Sequence, residues 1–356
     1  MKAWVLHGIG DFRIEEQKIP VVGKGEALIK VRAVGICGSD IPRIYQTGAH
    51  CHPLIPGHEF SGFVVDVGED VDHYWKGKRV GVFPLIPCGS CLPCQKKQYE
   101  MCRSYDYLGS RRNGGFGEYV SVPAHNLIEL PTGVSYEEAA MLEPMAVAVH
   151  AMRRASQDTQ KAPEEGSGVT AVCGLGTIGL LLVMFLLEAG RNNILVVGNK
   201  DFQREIVFKM GIPKDCYCDS RKKEAAKWLK ERTGNLGAET FFECVGKRET
   251  LVQAIESTAP GGRVCLVGNP YSDMGLSRET YWKILRNQLI ITGTWNSSFT
   301  GSPLDDWHYV LKRIEEKRVV PKTLISHRFC LEKLETGFHI MRDKTQDYGK
   351  IMGIIE

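Results

Sequence analysis

The 356-residue chain reads as a two-domain α/β protein, an antiparallel, barrel-like β domain followed by a doubly wound parallel sheet. Three observations predict this. A chain of this length exceeds what one hydrophobic core organises, so two domains are expected. Up to about residue 150, short β-type runs are set apart by glycine and proline: ALIKVRAVGI, EFSGFVVDVG, KRVGVFPLI and GFGEYVSVPA. From VTAVCG onward, apolar strands alternate with helical stretches, which is the pattern of a parallel sheet covered by helices on both faces.

The first domain therefore takes residues 1–150. Near 151 the texture changes to the polar AMRRASQDTQKAPEEGSG, and the second domain runs over 151–290. In it NILVVG, ETFFECVG and GRVCLVG read as strands, and FQREIVFKMG, EAAKWLKERTG and ETLVQAIEST as helices. Residues 291–356, with ITGTWN, the helical DDWHYVLKRIEEKRV and the closing GKIMGIIE, complete one or both domains, and pattern alone does not choose. The apolar stretch Val169 to Leu187 is about long enough to span a bilayer. Glycines at 174, 176 and 179 instead divide it into strand, tight turn and buried helix.

Hydrophobic content of 43% and charged content of 24% are those of a globular protein. A net charge of +3 gives no reason to expect a nucleic-acid or membrane partner. Met1 leads directly into KAWVLHG, with no basic stretch before an apolar core, so a reduced, cytoplasmic protein is expected.

Cys88, Cys91, Cys94 and Cys102 form C-x2-C-x2-C-x7-C in PCGSCLPCQKKQYEMC. One loop with this spacing offers four thiolates to a tetrahedral ion, so a structural zinc is expected. Disulfides do not suit the compartment, and the bacterial iron–sulfur spacing ends differently. Cys51, Cys173, Cys216, Cys218, Cys244, Cys265 and Cys330 read as small apolar residues.

Gly174, Gly176 and Gly179 in GLGTIG lie between the strand VTAVC and a helix opened by Thr177 and Ile178. That context predicts a dinucleotide site: a tight turn, close approach of backbone to pyrophosphate, and a helix N-terminus facing the phosphate charge. An acid at the end of the next strand would accept the ribose hydroxyls of NAD. That position is Gly198, followed by Asn199, with Lys200 and Arg204 close by, a set that favours the 2′-phosphate of NADP over NAD. Asp201 stands as an alternative ribose acceptor, and Lys200 and Arg204 as a solvated helix start.

Cys37 in VGICGSD, His58 in IPGHEFSG and Glu143 in MLEPMAVAVH are three donors of mixed type, as in a catalytic zinc site with one position open. Each also has a plain reading: core thiol, polar turn residue, and acid at a helix N-terminus.

Taken in order, CGSD, GHEFSGFVVDVG, the four-cysteine loop, GGFGEYV, EPMAVAVH and GLGTIG resemble the zinc-dependent medium-chain dehydrogenase/reductase superfamily over essentially the whole chain. The resemblance implies a GroES-like catalytic domain carrying two zinc ions, one catalytic and one structural, and a Rossmann cofactor domain. It implies Cys37, His58 and Glu143 as ligands of the catalytic zinc, with Glu59 an acidic neighbour able to approach the metal. By the same resemblance Asp40 fixes the ligand imidazole and Ser39 passes the substrate proton outward. Zinc then lowers the pKa of a substrate hydroxyl, and hydride moves to nicotinamide. A homodimer or homotetramer is a family expectation.

Within the superfamily, CGSDIPRIYQTGAH, PLIPGHEFSG, YDYLGSRRNGGFGEY and KILRNQLIITGTW are similar to polyol-phosphate dehydrogenases of the galactitol-1-phosphate type. GNKD with FFECVG looks more like the NADP-using ribitol-5-phosphate dehydrogenases. Both imply exchange of hydride between a sugar alcohol phosphate and NAD(P), giving a ketose phosphate. Arg43, Arg111 and Arg112 are the candidate phosphate ligands, because guanidinium matches phosphate geometry. Lys350, at a family position where a basic residue often precedes the last strand, receives no role. The rival readings are a dehydrogenase of an unphosphorylated polyol, a secondary alcohol or threonine, and a catalytically retired binding member. Intact ligands and glycines count against retirement, and the absence of a basic stripe counts against a zinc-ribbon nucleic-acid binder.

Overall fold

Glu26–Gly35 is the central strand of the first folding unit, and burial of Ala27, Leu28, Ile29, Val31, Ala33 and Val34 means that both its faces are covered. One edge pairs antiparallel with Glu59–Val67, which continues to Arg79–Val82 and Leu127–Glu129. The other edge is shared, its first half pairing with Tyr119–Pro123 and its second with Lys350–Ile354. Ile325–Cys330 then adds to Lys350–Ile354 in parallel. The structure, a computed structural model, describes residues 1–156 and 168–356. Residues 157–167 of the polar stretch lie outside that description.

Two units result, Met1–Ala146 with Ser297–Glu356, and Val147–Asn296. The sequence left the C-terminal segment open; residues 297–356 join the first unit, because their strands complete its sheet. The boundary near 150 falls inside the helix Leu142–Ala155, so the chain changes unit without a break in its hydrogen bonding. The first core gathers Ile29, Ile36, Phe60, Phe116 and Phe338, and Phe116 and Phe338 meet edge to face at 5.2 Å. Such a pair adds specific geometry to area burial.

In the second unit six strands run parallel in the order Tyr217–Asp219, Ile194–Gly198, Thr170–Cys173, Ala238–Glu243, Thr258–Leu266 and Ile290–Gly293. The order reverses between Thr170–Cys173 and Ala238–Glu243, which makes the crevice beyond their carboxyl ends the expected ligand position. Tyr217–Asp219 escaped the sequence reading because three residues carry no periodicity. The helix Thr177–Glu188 buries Leu180, Leu181, Leu182, Val183, Phe185 and Leu186, so its leucine-rich character reflects burial on nearly all sides. Among the described residues no helix is long and apolar enough to cross a membrane.

Candidate metal centres and cofactor turn

The four-cysteine loop closes on itself. Sulfur separations are 3.9 Å for Cys88–Cys94, 3.5 Å for Cys91–Cys94 and 3.9 Å for Cys91–Cys102. A tetrahedron of sulfurs about 2.3 Å from zinc has edges of roughly 3.8 Å, so these donors fit the ion. They are far beyond disulfide length, and all four thiols are free. Backbone N–H groups of Ser90 and Cys91 pull the Cys88 thiol down to about 5, whereas burial pushes Cys94 up to about 12. A bound cation would favour the thiolate at every member of the set.

A second set of donors comes from strand ends. Cys37 follows Glu26–Gly35, and His58 and Glu59 stand where Glu59–Val67 begins. Their donor atoms lie within 4.8 Å of one another. His58 and Glu59 are buried, and His58 Nδ1 is a buried nitrogen without a hydrogen-bond partner. A thiol, an imidazole and a carboxylate converging within this distance suit zinc. Glu143, the expected third ligand, stands outside this trio, and Glu59, the expected alternate, is inside it. Glu143 occupies the first turn of Leu142–Ala155 and accepts the Tyr107 hydroxyl at 3.2 Å. Burial, opposed by the charge of His58, raises its carboxyl to about 7. Burial, reinforced by the Glu59 charge, pushes the Cys37 thiol up to about 12.

Asp40 braces this site. Its Oδ1 lies 3.6 Å from His58 Nδ1, its Oδ2 accepts the Cys37 N–H at 3.0 Å, and Arg43 donates to Oδ1 at 2.6 Å. Ser39 is exposed at the head of the short helix Asp40–Pro42. Lys350, which the sequence reading left without a role, is 2% exposed and pairs with Glu59, itself 1% exposed, while donating to the Ile36 carbonyl at 3.0 Å. Burial works against its charge, but Glu59 and Cys37 outweigh burial and raise its pKa. Only strand pairing brings Lys350 here, so no local signal could have found it.

Two of the arginines expected to meet a phosphate are committed elsewhere. Arg43 serves Asp40, and Arg112 donates to Glu26 at 2.5 Å. Arg111 stacks on the Tyr105 ring at 4.6 Å and donates to the Tyr105 carbonyl at 3.1 Å. Arg43 meets Asp40 within one helical turn, whereas the Glu26 that Arg112 takes is distant in the chain and spacing does not reveal it.

In the second unit the three glycines divide the work. Gly174 has φ of +96°, and a Cβ there would come within 2.5 Å of Val245. A Cβ on Gly179 would collide with the Gly174 carbonyl, whereas one on Gly176 would meet nothing within 4 Å. The outer glycines are thus needed for packing and the middle one leaves open space at the helix N-terminus formed by Thr177 and Ile178. Glu243 supports the facing turn, accepting Val245 N at 2.8 Å, Gly246 N at 3.0 Å and Thr250 Oγ1 at 2.8 Å. At Gly198 a Cβ would approach Leu175 at 2.8 Å and the Tyr217 hydroxyl at 3.1 Å, so a side chain there would require these two to shift. Asn199 is exposed and Lys200 partly buried beside it. Asp201 is taken by Arg204 at 2.8 Å and Arg221 at 2.7 Å, and Arg221 also holds Asp219 at 2.7 Å. The sequence reading missed Arg221, whose signal was a basic run directly after an unrecognised strand.

Residues 23–132 match the alcohol dehydrogenase GroES-like domain, and residues 177–316 match the zinc-binding dehydrogenase domain. Galactitol 1-phosphate 5-dehydrogenase of Escherichia coli K12 is 32% identical over 336 residues, 93% of this chain and 94% of that protein. The chain belongs to the zinc-dependent medium-chain dehydrogenase/reductase superfamily. L-threonine 3-dehydrogenase of Bacillus subtilis is 30% identical over 92% of this chain and 91% of its own. The crystal structure of galactitol-1-phosphate dehydrogenase from Escherichia coli superposes with a TM-score of 0.89 at 31% identity, covering 99% of this chain and 100% of that one. The protein is accordingly a zinc-dependent, NAD(P)-linked dehydrogenase of the alcohol and polyol class, with a GroES-like and a Rossmann domain.

Proposed function

We propose that this dehydrogenase, acting in the cytoplasm, oxidises a secondary hydroxyl of a sugar alcohol phosphate to the ketose phosphate and reduces NADP in doing so. The observation that carries the chemistry is the convergence of half-buried Cys37 with buried His58 and Glu59, braced by Asp40. Zinc held there supplies Lewis acidity toward a substrate oxygen, and the nicotinamide supplies the hydride acceptor. Asp40 fixes the Cys37 backbone and stands against His58, and Arg43 holds Asp40 in place. Lys350 balances the charge of Glu59, which allows a second carboxylate, Glu143, in the same region. Ser39, exposed two residues beyond Cys37, is the route by which a proton leaves.

The phosphate in the substrate is supported by the similarity to galactitol 1-phosphate 5-dehydrogenase, with Arg111 as the remaining candidate among the three arginines. The preference for NADP is supported by the crowded Gly198 and by Lys200, Arg204 and Arg221 gathered around the engaged Asp201. A homo-oligomer is supported by the edge strand Ile290–Gly293, which exposes Ile290 and Ile291, and by Tyr281, Trp282 and Leu285 exposed on the helix leading into it.

A panel of polyols and their phosphates, assayed with NAD and with NADP, tests this reading. Reduction of NADP by a polyol phosphate is expected. Activity confined to free polyols or threonine would remove the phosphate from the substrate. Arg221→Ala should raise KM for NADP by about tenfold or more, since a charge-assisted hydrogen bond contributes about 1.5–3 kcal/mol. An equal effect on NAD would count against Arg221 as a 2′-phosphate ligand.

A further inference from the structure

Tyr107 ends a two-residue strand. Asp106–Tyr107 pairs antiparallel with Leu85–Ile86, Leu85 opposite Tyr107, and Leu108 N donates to the Pro84 carbonyl at 2.9 Å. These two strands bracket the segment that carries Cys88, Cys91, Cys94 and Cys102, so the cysteine loop ties off the end of the ladder. Asn126, fully buried, pins the partner strand by donating to the carbonyls of Phe83 at 2.6 Å and Leu85 at 2.8 Å. The Tyr107 ring stands edge-on to His58 at 5.8 Å and to Tyr105 at 6.2 Å. Its hydroxyl donates to Glu143 Oε1 at 3.2 Å.

We propose that Tyr107 is a positioning residue that aims the Glu143 carboxylate at the catalytic metal and supports the His58 imidazole from its edge. This rests on reading Cys37, His58 and Glu59 as a metal site and Glu143 as a further ligand that joins them when the ion is bound. With Oε1 engaged by the phenol, Glu143, which stands outside the trio, has one oxygen left to join it when an ion is bound, and its orientation is held from the strand that pairs with Leu85–Ile86. Partners of this kind, one step removed from the ion, typically change metal affinity by about 10–100-fold when lost. Phenylalanine at 107 keeps the ring and its packing but removes the proton that orients Glu143.

The test compares the zinc-loaded and the cobalt(II)-substituted Tyr107→Phe variant with the native enzyme. Three readings are taken: zinc release to a chelator, the visible absorption of cobalt, and kcat against KM. The variant is expected to melt at the native temperature and to keep the zinc of the four-cysteine loop. It should release the other zinc about tenfold faster, shift the cobalt absorption, and lose kcat with little change in KM. A variant with native release rate and native cobalt absorption overturns the proposal. So does a lowered melting temperature with an unshifted cobalt band, because a purely structural tyrosine would behave that way. Should the native enzyme hold zinc at the four cysteines alone, the metal-site reading fails and this inference fails with it. Should it hold two zinc ions and oxidise no polyol phosphate, the substrate reading fails by itself and the release rates still decide the role of Tyr107.

Discussion

The two donor sets of the first unit solve different problems with overlapping chemistry. Cys88, Cys91, Cys94 and Cys102 come from one loop, offer only sulfur, and stand 3.5 to 3.9 Å apart in the pairs that touch. Cys37, His58 and Glu59 come from separate strand ends, offer sulfur, nitrogen and oxygen, and are ringed by Asp40, Arg43, Lys350, Tyr107 and Glu143. Four thiolates around one ion would fill a tetrahedron and leave no room for a reacting molecule, so a metal held by the first set would contribute stability. A mixed set among buried charges is costly to assemble and is therefore found where charge must be managed during a reaction. The difference teaches that coordination chemistry alone does not mark the reactive centre. The charged residues around the donors do.

The largest effect that can break this comparison is exchange of one cysteine in each set. Cys37→Ser should lose one zinc equivalent and lower kcat/KM by at least about a thousandfold, because Lewis-acid assistance contributes several kcal/mol to the transition state. Cys102→Ser should lose the other zinc and lower stability by several kcal/mol, while the fraction still folded keeps the Cys37 zinc. Metal analysis, thermal melts and steady-state kinetics on both variants read this directly. If Cys102→Ser abolished activity without loss of zinc or stability, the division of labour drawn above would be wrong.

Lys350→Met isolates the charged surroundings of the mixed set. It leaves the Glu59 carboxylate buried without its cation, a change that costs about 3–5 kcal/mol. Adding Glu59→Gln should restore much of that loss, since the uncompensated charge goes with it. Denaturant unfolding of the two variants measures both numbers, and equal destabilisation by the single and the double variant would contradict the pairing. The smallest effect belongs to the rim of the cysteine loop. Ser90→Ala removes an exposed hydroxyl 3.6 Å from Cys88 Sγ and should change stability by less than about 0.5 kcal/mol with zinc content unchanged. Loss of zinc in that variant would mean that the loop depends on its hydroxyl as well as its sulfurs.

Much of the protein is legible in its sequence wherever the physics is local. The four cysteines lie within one loop, so their spacing alone specifies a tetrahedron. Gly174, Gly176 and Gly179 sit on one strand, turn and helix, so their roles follow from backbone sterics within a few residues. Alternating strands and helices announce the parallel sheet, while the three-residue strand Tyr217–Asp219 is too short to announce itself. The residues that surround the second metal set are a different case. Glu59 rather than Glu143 stands with Cys37 and His58 because of where one strand ends, another begins and one helix is aimed.

By itself, the sequence determined the two-domain α/β class, the superfamily, the cysteine loop and the glycine turn, because each depends on contacts between near neighbours in the chain. Tertiary structure alone decided that residues 297–356 complete the first sheet, that Lys350 faces Glu59, that Tyr107 holds Glu143, and that Arg112 is already spent on Glu26. The reason is that a buried charge takes the partner that folding brings to it. Which partner that is depends on pairing between residues far apart in the chain, and no local pattern encodes it.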